Sequence, residues 1–197
     1  SGLNYQHVSK SCETLTDPDA TTETVRRAFS AVRNGRPRPA VVELPQDVTG
    51  EPVADPEYTP ASTSRAGPDP DAVATAADLL LEAESPVIFA GQGVHYAGGW
   101  DALRALAELL EAPVATSLNG KSAFPESHPL SLGAASKSVP GPLARFMDET
   151  DCLFGVGCSF TQTAYGLTPP TDNLVVHATL DPGDVDKDVD ADHAVVG

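Results

Sequence analysis

Gly91-Gln92-Gly93 lies between the apolar run Pro86 to Ala90 and a helical pattern that starts at Trp100. Where a strand ends in such a glycine pair and a helix follows, bare backbone amides can approach a diphosphate. The full dinucleotide fingerprint would need a third glycine where Tyr96 stands, so the same spacing also suits a plain tight turn. Thr116-Ser117-Leu118-Asn119-Gly120-Lys121 places hydroxyls, a glycine and a cation after the next apolar run. Alone it reads as an ordinary polar loop. Two such loops on neighbouring strand ends support each other as the walls of a nucleotide crevice.

Other groupings resolve into less. Cys152 and Cys158 stand at the two ends of one expected strand, too far apart along it to ligate one metal. No Cys-x-x-Cys occurs and the five histidines are scattered, so no metal ligand is assigned. Gly157-Cys158-Ser159-Phe160-Thr161 lacks the second glycine of a nucleophile elbow and no triad accompanies it, so no catalytic residue is assigned. Asp181, Asp184, Asp186, Asp188, Asp190 and Asp192 imitate a calcium loop. With Asp184 in the first position, Val189 falls where glycine is needed and no glutamate closes the loop, which leaves a solvated acidic face.

These loops need elements to hold them. The segment from Asp17-Pro18, an N-cap followed by proline, opens a helix with Val25, Ala28, Phe29 and Val32 on one stripe, ended by Asn34-Gly35. Ala40 to Leu44 is a short buried strand stopped by Pro45. One helix and one strand cannot bury both faces of a sheet, so residues 1–49 must belong to a larger unit. Residues 50–68, rich in proline and glycine, read as a linker. Asp69-Pro70 repeats the cap device and opens a helix carrying Val73, Ala76, Ala77, Leu80 and Leu81. Strands are expected at Pro86 to Ala90, Pro113 to Ser117, Cys152 to Gly157 and Asn173 to Leu180. Helices are expected at Trp100 to Glu111, buried through Leu103, Leu106, Ala107 and Leu110, and at Leu143 to Thr150. Strand alternating with helix predicts an α/β domain over 69–197 built on a doubly wound parallel sheet. Ligands of such sheets bind outside the carboxyl ends of the strands, which selects the loops at Gly91, Leu118, Gly157 and Asp181.

Composition excludes several classes of partner. The chain has 197 residues with 12 Lys+Arg against 28 Asp+Glu, a formal net charge of -16, which argues against nucleic acid and anionic membranes. No apolar run approaches a spanning helix and the first residues carry no signal-peptide core. Three cysteines do not make a disulfide framework, which points to a reducing cytoplasm. Lysine is scarce, aspartate outnumbers glutamate and aromatics are 6%, a surface that stays soluble where salt screens charge. A halophilic origin is expected.

Several stretches carry a resemblance. Thr16-Asp17-Pro18, Arg26-Arg27-Ala28-Phe29, Asn34-Gly35-Arg36-Pro37 and Val42-Glu43-Leu44-Pro45-Gln46-Asp47-Val48 are similar to the end of the N-terminal domain of the acetolactate synthase family. Pro86-Val87-Ile88, Gly91-Gln92-Gly93, Leu103 to Glu108, Ala112 to Lys121 and its continuation Ala123 to Gly133 follow that family in order, as does Leu180-Asp181-Pro182. The chain thus resembles a thiamine-diphosphate-dependent enzyme of the acetolactate synthase and benzoylformate decarboxylase type. The resemblance implies a fragment: residues 1–49 as a helix-strand remnant of the pyrimidine-binding domain, 50–68 as linker, and 69–197 as a central domain of Rossmann-like, DHS-like NAD/FAD-binding type. The glutamate that activates thiamine diphosphate would precede Ser1. The Gly-Asp-Gly…Asn motif that holds magnesium and the diphosphate does not occur, since Gly183-Asp184-Val185 is not one. Thiamine diphosphate and Mg2+ are therefore expected in the parent enzyme and not on this chain. The missing domains of the same chain are the expected partners, in a parental homodimer or homotetramer.

The resemblance also implies contacts to a nucleotide for Gly91, Gln92, Gly93, Ser117, Leu118 and Gly157, and Asp181 joins these cofactor-binding candidates from its place beyond the last expected strand. The family's Gly-x-Arg-Phe-Asp-Asp-Arg reads Gly157-Cys158-Ser159-Phe160-Thr161-Gln162-Thr163 here, losing both arginines, and Thr179 replaces an acidic residue. These departures argue against FAD and leave ADP, a CoA thioester or no ligand, with Lys137 available to a phosphate. The expected role is a structural scaffold without turnover of its own in a 2-keto acid decarboxylase or carboligase. The alternatives are a stand-alone module binding ADP, FAD or CoA, and a sirtuin-like deacylase, whose zinc ribbon and histidine loop are not found.

Overall fold

The computed structural model describes residues 2–53, 57–60, 62–170 and 172–197. It divides into two units, meeting at Ala66 and Gly67. The expected linker over 50–68 includes residues 54–56 and 61, which lie outside the described residues; its described remainder holds no helix or strand.

In the first unit, β1 (Ser11–Thr14) and β2 (Ala40–Glu43) pair in parallel from Ser11 opposite Ala40 to Thr14 opposite Glu43, with α1 (Thr21–Arg33) between them in sequence. The unit is a strand-helix-strand crossover rather than the expected helix and strand. Its first strand, Ser-Cys-Glu-Thr, is polar and half-buried, and only pairing to β2 reveals it. Asp17 caps a 3-10 turn at Pro18–Ala20 by accepting from the Asp19 amide at 3.0 Å, and α1 starts only at Thr21. The expected stripe of α1 is half covered: Val25 and Ala28 are partly buried while Phe29 and Val32 are exposed. The buried side chains beside these elements are Leu15 and Thr24.

The second unit holds six strands: β3 (Pro86–Ala90), β4 (Val114–Thr116), β5 (Ser131–Ala134), β6 (Cys152–Val156), β7 (Leu174–Thr179) and β8 (His193–Val196). All pair in parallel, in the order β5-β4-β3-β6-β7-β8. Numbered within the unit, that order is 3-2-1-4-5-6, so the chain reverses direction across the sheet between β3 and β6. The four expected strands are present to within a residue or two at their ends. The two outer strands were not expected, because Ser131–Ala134 and His193–Val196 are short and only half-buried.

Helices cover both faces. Alternation along β3 sends Ile88 and Ala90 to one side, where Ala76 and Leu80 of α2 (Pro70–Glu82) join Leu103 and Ala107 of α4 (Trp100–Leu110). Val87 and Phe89 point to the other side, against Leu143 and Met147 of α5 (Gly141–Glu149). A sheet buried on both faces explains the continuous apolar reading of β3 and β6. The stripe of α4 is the expected one. That of α2 is rotated: Ala72, Ala76, Leu79, Leu80 and Ala83 face the core, while Val73, Ala77 and Leu81 are exposed. Alanine and leucine occupy both candidate rows of this helix, so periodicity alone cannot choose between them. The expected loop Gly91 to Gly99 contains a short helix, α3 (Gly93–Ala97). Among the described residues no helix is long and apolar enough to cross a membrane.

Candidate functional site

All eight residues singled out as cofactor-binding stand at the carboxyl edge of the six-stranded sheet. Gly91, Gln92 and Gly93 follow β3, Ser117 and Leu118 follow β4, Lys137 lies beyond β5, Gly157 follows β6 and Asp181 lies beyond β7. The structure brings Gly91, Gln92, Gly93, Ser117, Leu118 and Gly157 together around the reversal point. Lys137 and Asp181 are separated from each other by four strand spacings, roughly 19 Å.

At the reversal point the loops pack on one another. The Gly91 amide donates to Val156 O at 2.9 Å and the Gly93 amide to Gly157 O at 2.7 Å. A Cβ on Gly91 would meet Gly157 O at 2.3 Å and one on Gly93 would meet Gly157 Cα at 2.7 Å, so the glycines leave room for backbone of the same chain. Gly157 has φ of +60° and faces back onto the Val94 amide nitrogen. On the other flank the Ser117 amide donates to Ala90 O at 2.8 Å, and the Ser117 hydroxyl accepts from the Gly120 amide at 3.0 Å. Of the three amides in Gly91-Gln92-Gly93, only that of Gln92 lacks a partner among the described residues. A diphosphate cradle needs several converging free amides, and this loop supplies one.

The polar groups beneath this edge serve the fold. Asp181 Oδ1 accepts from the Gly183 amide at 3.1 Å and caps a 3-10 turn, Pro182–Asp184. The aspartates after it do not form the solvated acidic face expected from sequence. Asp184 is buried and accepts from the Thr179 hydroxyl at 3.4 Å. Asp186, Asp188 and Asp192 accept from the amides of Ala191, Gln162 and Val175 at 2.9, 3.0 and 2.8 Å. Alternating carboxylates here satisfy orphaned loop amides.

Cys158 is buried behind Gly157, and burial pushes its thiol up to about 12; burial likewise pushes Cys152 up to about 11. Neither is a thiolate near neutral pH, so neither is a nucleophile there. His177, fully buried on β7, hydrogen-bonds Cys158 O through Nε2 at 2.9 Å and packs at a tilt of 56° against Phe160, ring centroids 4.8 Å apart. Its Nδ1 has no partner among the described residues.

Sequence reasoning passed over His95 and the side chain of Trp100 beside the crevice. His95 on α3 bonds Lys121 O through Nε2 at 3.0 Å, and its Nδ1 accepts from Trp100 Nε1 at 2.9 Å. These contacts tie the glycine loop, the start of α4 and the loop after β4. The spacing of His95 and Trp100 across Gly98-Gly99 was the one available signal, and it carries no known motif.

Comparison with known proteins agrees with this architecture. Residues 73–197 match the family described as thiamine pyrophosphate enzyme, central domain. The chain is 34% identical to a probable acetolactate synthase large subunit of Methanocaldococcus jannaschii, over 98% of its own length and 34% of that protein's. It is 31% identical to the acetolactate synthase large subunit of Corynebacterium glutamicum, over 93% of this chain and 30% of the other. Among solved structures, a putative thiamin diphosphate-dependent enzyme from Mycobacterium smegmatis superposes with a TM-score of 0.83 at 23% identity, covering 100% of this chain and 38% of that one. The benzoylformate decarboxylase of Polynucleobacter necessarius gives 0.80 at 24%, covering 96% and 36%. The chain belongs to the thiamine pyrophosphate enzymes, and residues 73–197 are their central domain. It spans about a third of the length of the curated relatives it matches.

Proposed function

We propose that this chain is the central-domain portion of a thiamine-diphosphate-dependent enzyme that decarboxylates a 2-keto acid, with or without carboligation, and that the portion itself is a scaffold. The first unit serves as the end of a pyrimidine-binding domain and the second as a Rossmann-like domain of the NAD/FAD-binding type. The acetolactate synthase relatives support the substrate class. When bound, thiamine diphosphate supplies the electron sink for decarboxylation, and the protein supplies orientation. On this reading thiamine diphosphate and Mg2+ are held by other domains, which also form the partner surfaces of a homodimer or homotetramer. The protein works in the cytoplasm of a salt-adapted cell.

The observation that carries the scaffold role is the use of the Gly91 and Gly93 amides by Val156 O and Gly157 O. A loop so occupied does not fit the diphosphate of FAD, and we read the crevice as vestigial. The free Gln92 amide and the exposed Lys137 are the two features that favour a weak ADP or CoA site instead. Calorimetric titration with FAD, ADP and CoA in molar KCl separates the readings: no binding supports the scaffold, and micromolar binding supports a nucleotide-bearing domain. Incubation of the chain with thiamine diphosphate, Mg2+ and pyruvate is expected to release no carbon dioxide. Release would overturn the assignment of catalysis to other domains.

A further inference from the structure

The imidazole of His95 is held between two partners that permit only one of its protonation states. Lys121 O can only accept, so Nε2 carries a proton; Trp100 Nε1–H can only donate, so Nδ1 carries none. The ring bridges three elements at the mouth of the crevice: α3 directly behind Gly91-Gln92-Gly93, the first residue of α4, and the loop that carries Ser117 and Gly120. We infer that His95 is a pH-responsive latch: the neutral ring ties Trp100 and the loop after β4 into one wall, and a second proton on Nδ1 releases Trp100.

The chemistry is that of donor set against donor. A proton added at Nδ1 points at the indole N–H, so that hydrogen bond is lost, while the bond from Nε2 to Lys121 O persists. The indole is half-exposed and has room to turn away, since its side chain is not part of either buried cluster. The charged or titratable groups on the surrounding elements are Tyr96 beside the ring on α3, Asp101, Arg104 and Glu108 on α4, and Lys121, Glu126 and His128 on the loop after β4; Arg104 and His128 both engage Glu108, each at 3.2 Å. The Lys121 ammonium lies 3.5 Å from Glu126, which engages it away from the ring. Because His128 is a second histidine on these elements, joined to Glu108 of α4, assignment of a change to the His95 ring rests on the His95→Gln variant and on the ring's own nitrogen shifts.

Trp100 is the only tryptophan of the chain, so its fluorescence reads the latch without a label. In the full chain, acidification from about pH 8 to pH 5 is expected to shift the emission in one reversible, one-proton step. His95→Gln is expected to lose the step, and His193→Gln, altered on β8 away from Trp100, to keep it. Nitrogen chemical shifts of the His95 ring in the unaltered protein provide a reading that needs no variant. They should report the Nε2–H tautomer at high pH and a doubly protonated ring once the emission has shifted. A flat emission across the window, a step that survives His95→Gln, or an Nδ1–H tautomer at high pH would each overturn the latch.

Discussion

Gly91 and Gly157 occupy one shared space: a Cβ on Gly91 would stand 2.3 Å from Gly157 O and 2.4 Å from Cys158 Cα. The contact joins the ends of β3 and β6, the two strands between which the chain reverses. Gly91→Ala must push backbone against backbone, and its cost should reach or exceed the roughly 3 kcal/mol upper range of core overpacking. At this chain length that corresponds to a fall in Tm of roughly 6–12 °C. Gly98→Ala tests strain alone, because φ is +66° and the nearest atom is 3.8 Å away; about 1–2 kcal/mol is expected. Gly141→Ala, at the start of α5 with open space around it, should be neutral or stabilising by up to about 1 kcal/mol. Thermal melts of the three variants check the ranking.

Thiol reactivity should divide the cysteines. Cys152 and Cys158 are buried with thiols pushed up to about 11 and about 12, while Cys12 is only half-buried. A thiol-disulfide reagent at pH 8 should label one thiol per native chain and three after denaturation. Because the folded-state values lie above those of the unfolded chain, the unfolded state loses its protons first as pH rises. The stability contributed by the neutral thiols is therefore complete below about pH 8.5 and falls above it by roughly 1.4 kcal/mol per pH unit for each thiol, until about pH 11 for Cys152 and about pH 12 for Cys158. Cys158→Ala should flatten this alkaline decline in a series of melts.

His177 offers a test of an unpaired buried atom. Nε2 pairs with Cys158 O, and Nδ1 with nothing among the described residues. His177→Leu removes the orphan but strands Cys158 O, and these roughly opposing terms should leave stability within about 1.5 kcal/mol of the parent. His177→Ala also opens a cavity beside Phe160 and should cost about 2–5 kcal/mol. Chemical denaturation of both variants distinguishes them.

Salt should stabilise the chain. A net charge of -16 repels itself, and the Debye length falls from about 10 Å at 0.1 M to about 3 Å at 1 M. Tm should rise between 0.1 and 2 M KCl. The Arg27–Glu13 pair, at 2.6 Å on the surface, holds the Glu13 carboxyl below its ordinary range through the guanidinium hydrogen bond. Arg27→Ala should nevertheless leave Tm nearly unchanged, and more nearly so in high salt, because solvent and ions screen an exposed pair. A Tm that falls with KCl would contradict the salt-adapted reading.

Much of the second unit was legible because its strands are buried on both faces and therefore write themselves as apolar runs, as Pro86 to Ala90 does. The caps at Asp17 and Asp69 were legible for a different reason, since aspartate before proline satisfies an amide two residues on. What escaped is decided by neighbours rather than by local pattern. β1 is polar and exists by pairing, β5 and β8 are half-buried edges, and the core row of α2 is selected by the sheet it meets. The loops of the candidate site were located correctly at the strand ends. Their backbone hydrogen bonds were not legible, because whether an amide faces a ligand or Gly157 O depends on a residue more than sixty positions away.

The most direct test of the central claim is to sequence the gene on both sides of the segment that encodes Ser1 to Gly197. A thiamine-enzyme central domain predicts one continuous frame, with a glutamate-bearing pyrimidine-binding domain upstream and a Gly-Asp-Gly…Asn motif downstream. A start codon beside Ser1 and a stop codon just after Gly197 would contradict it.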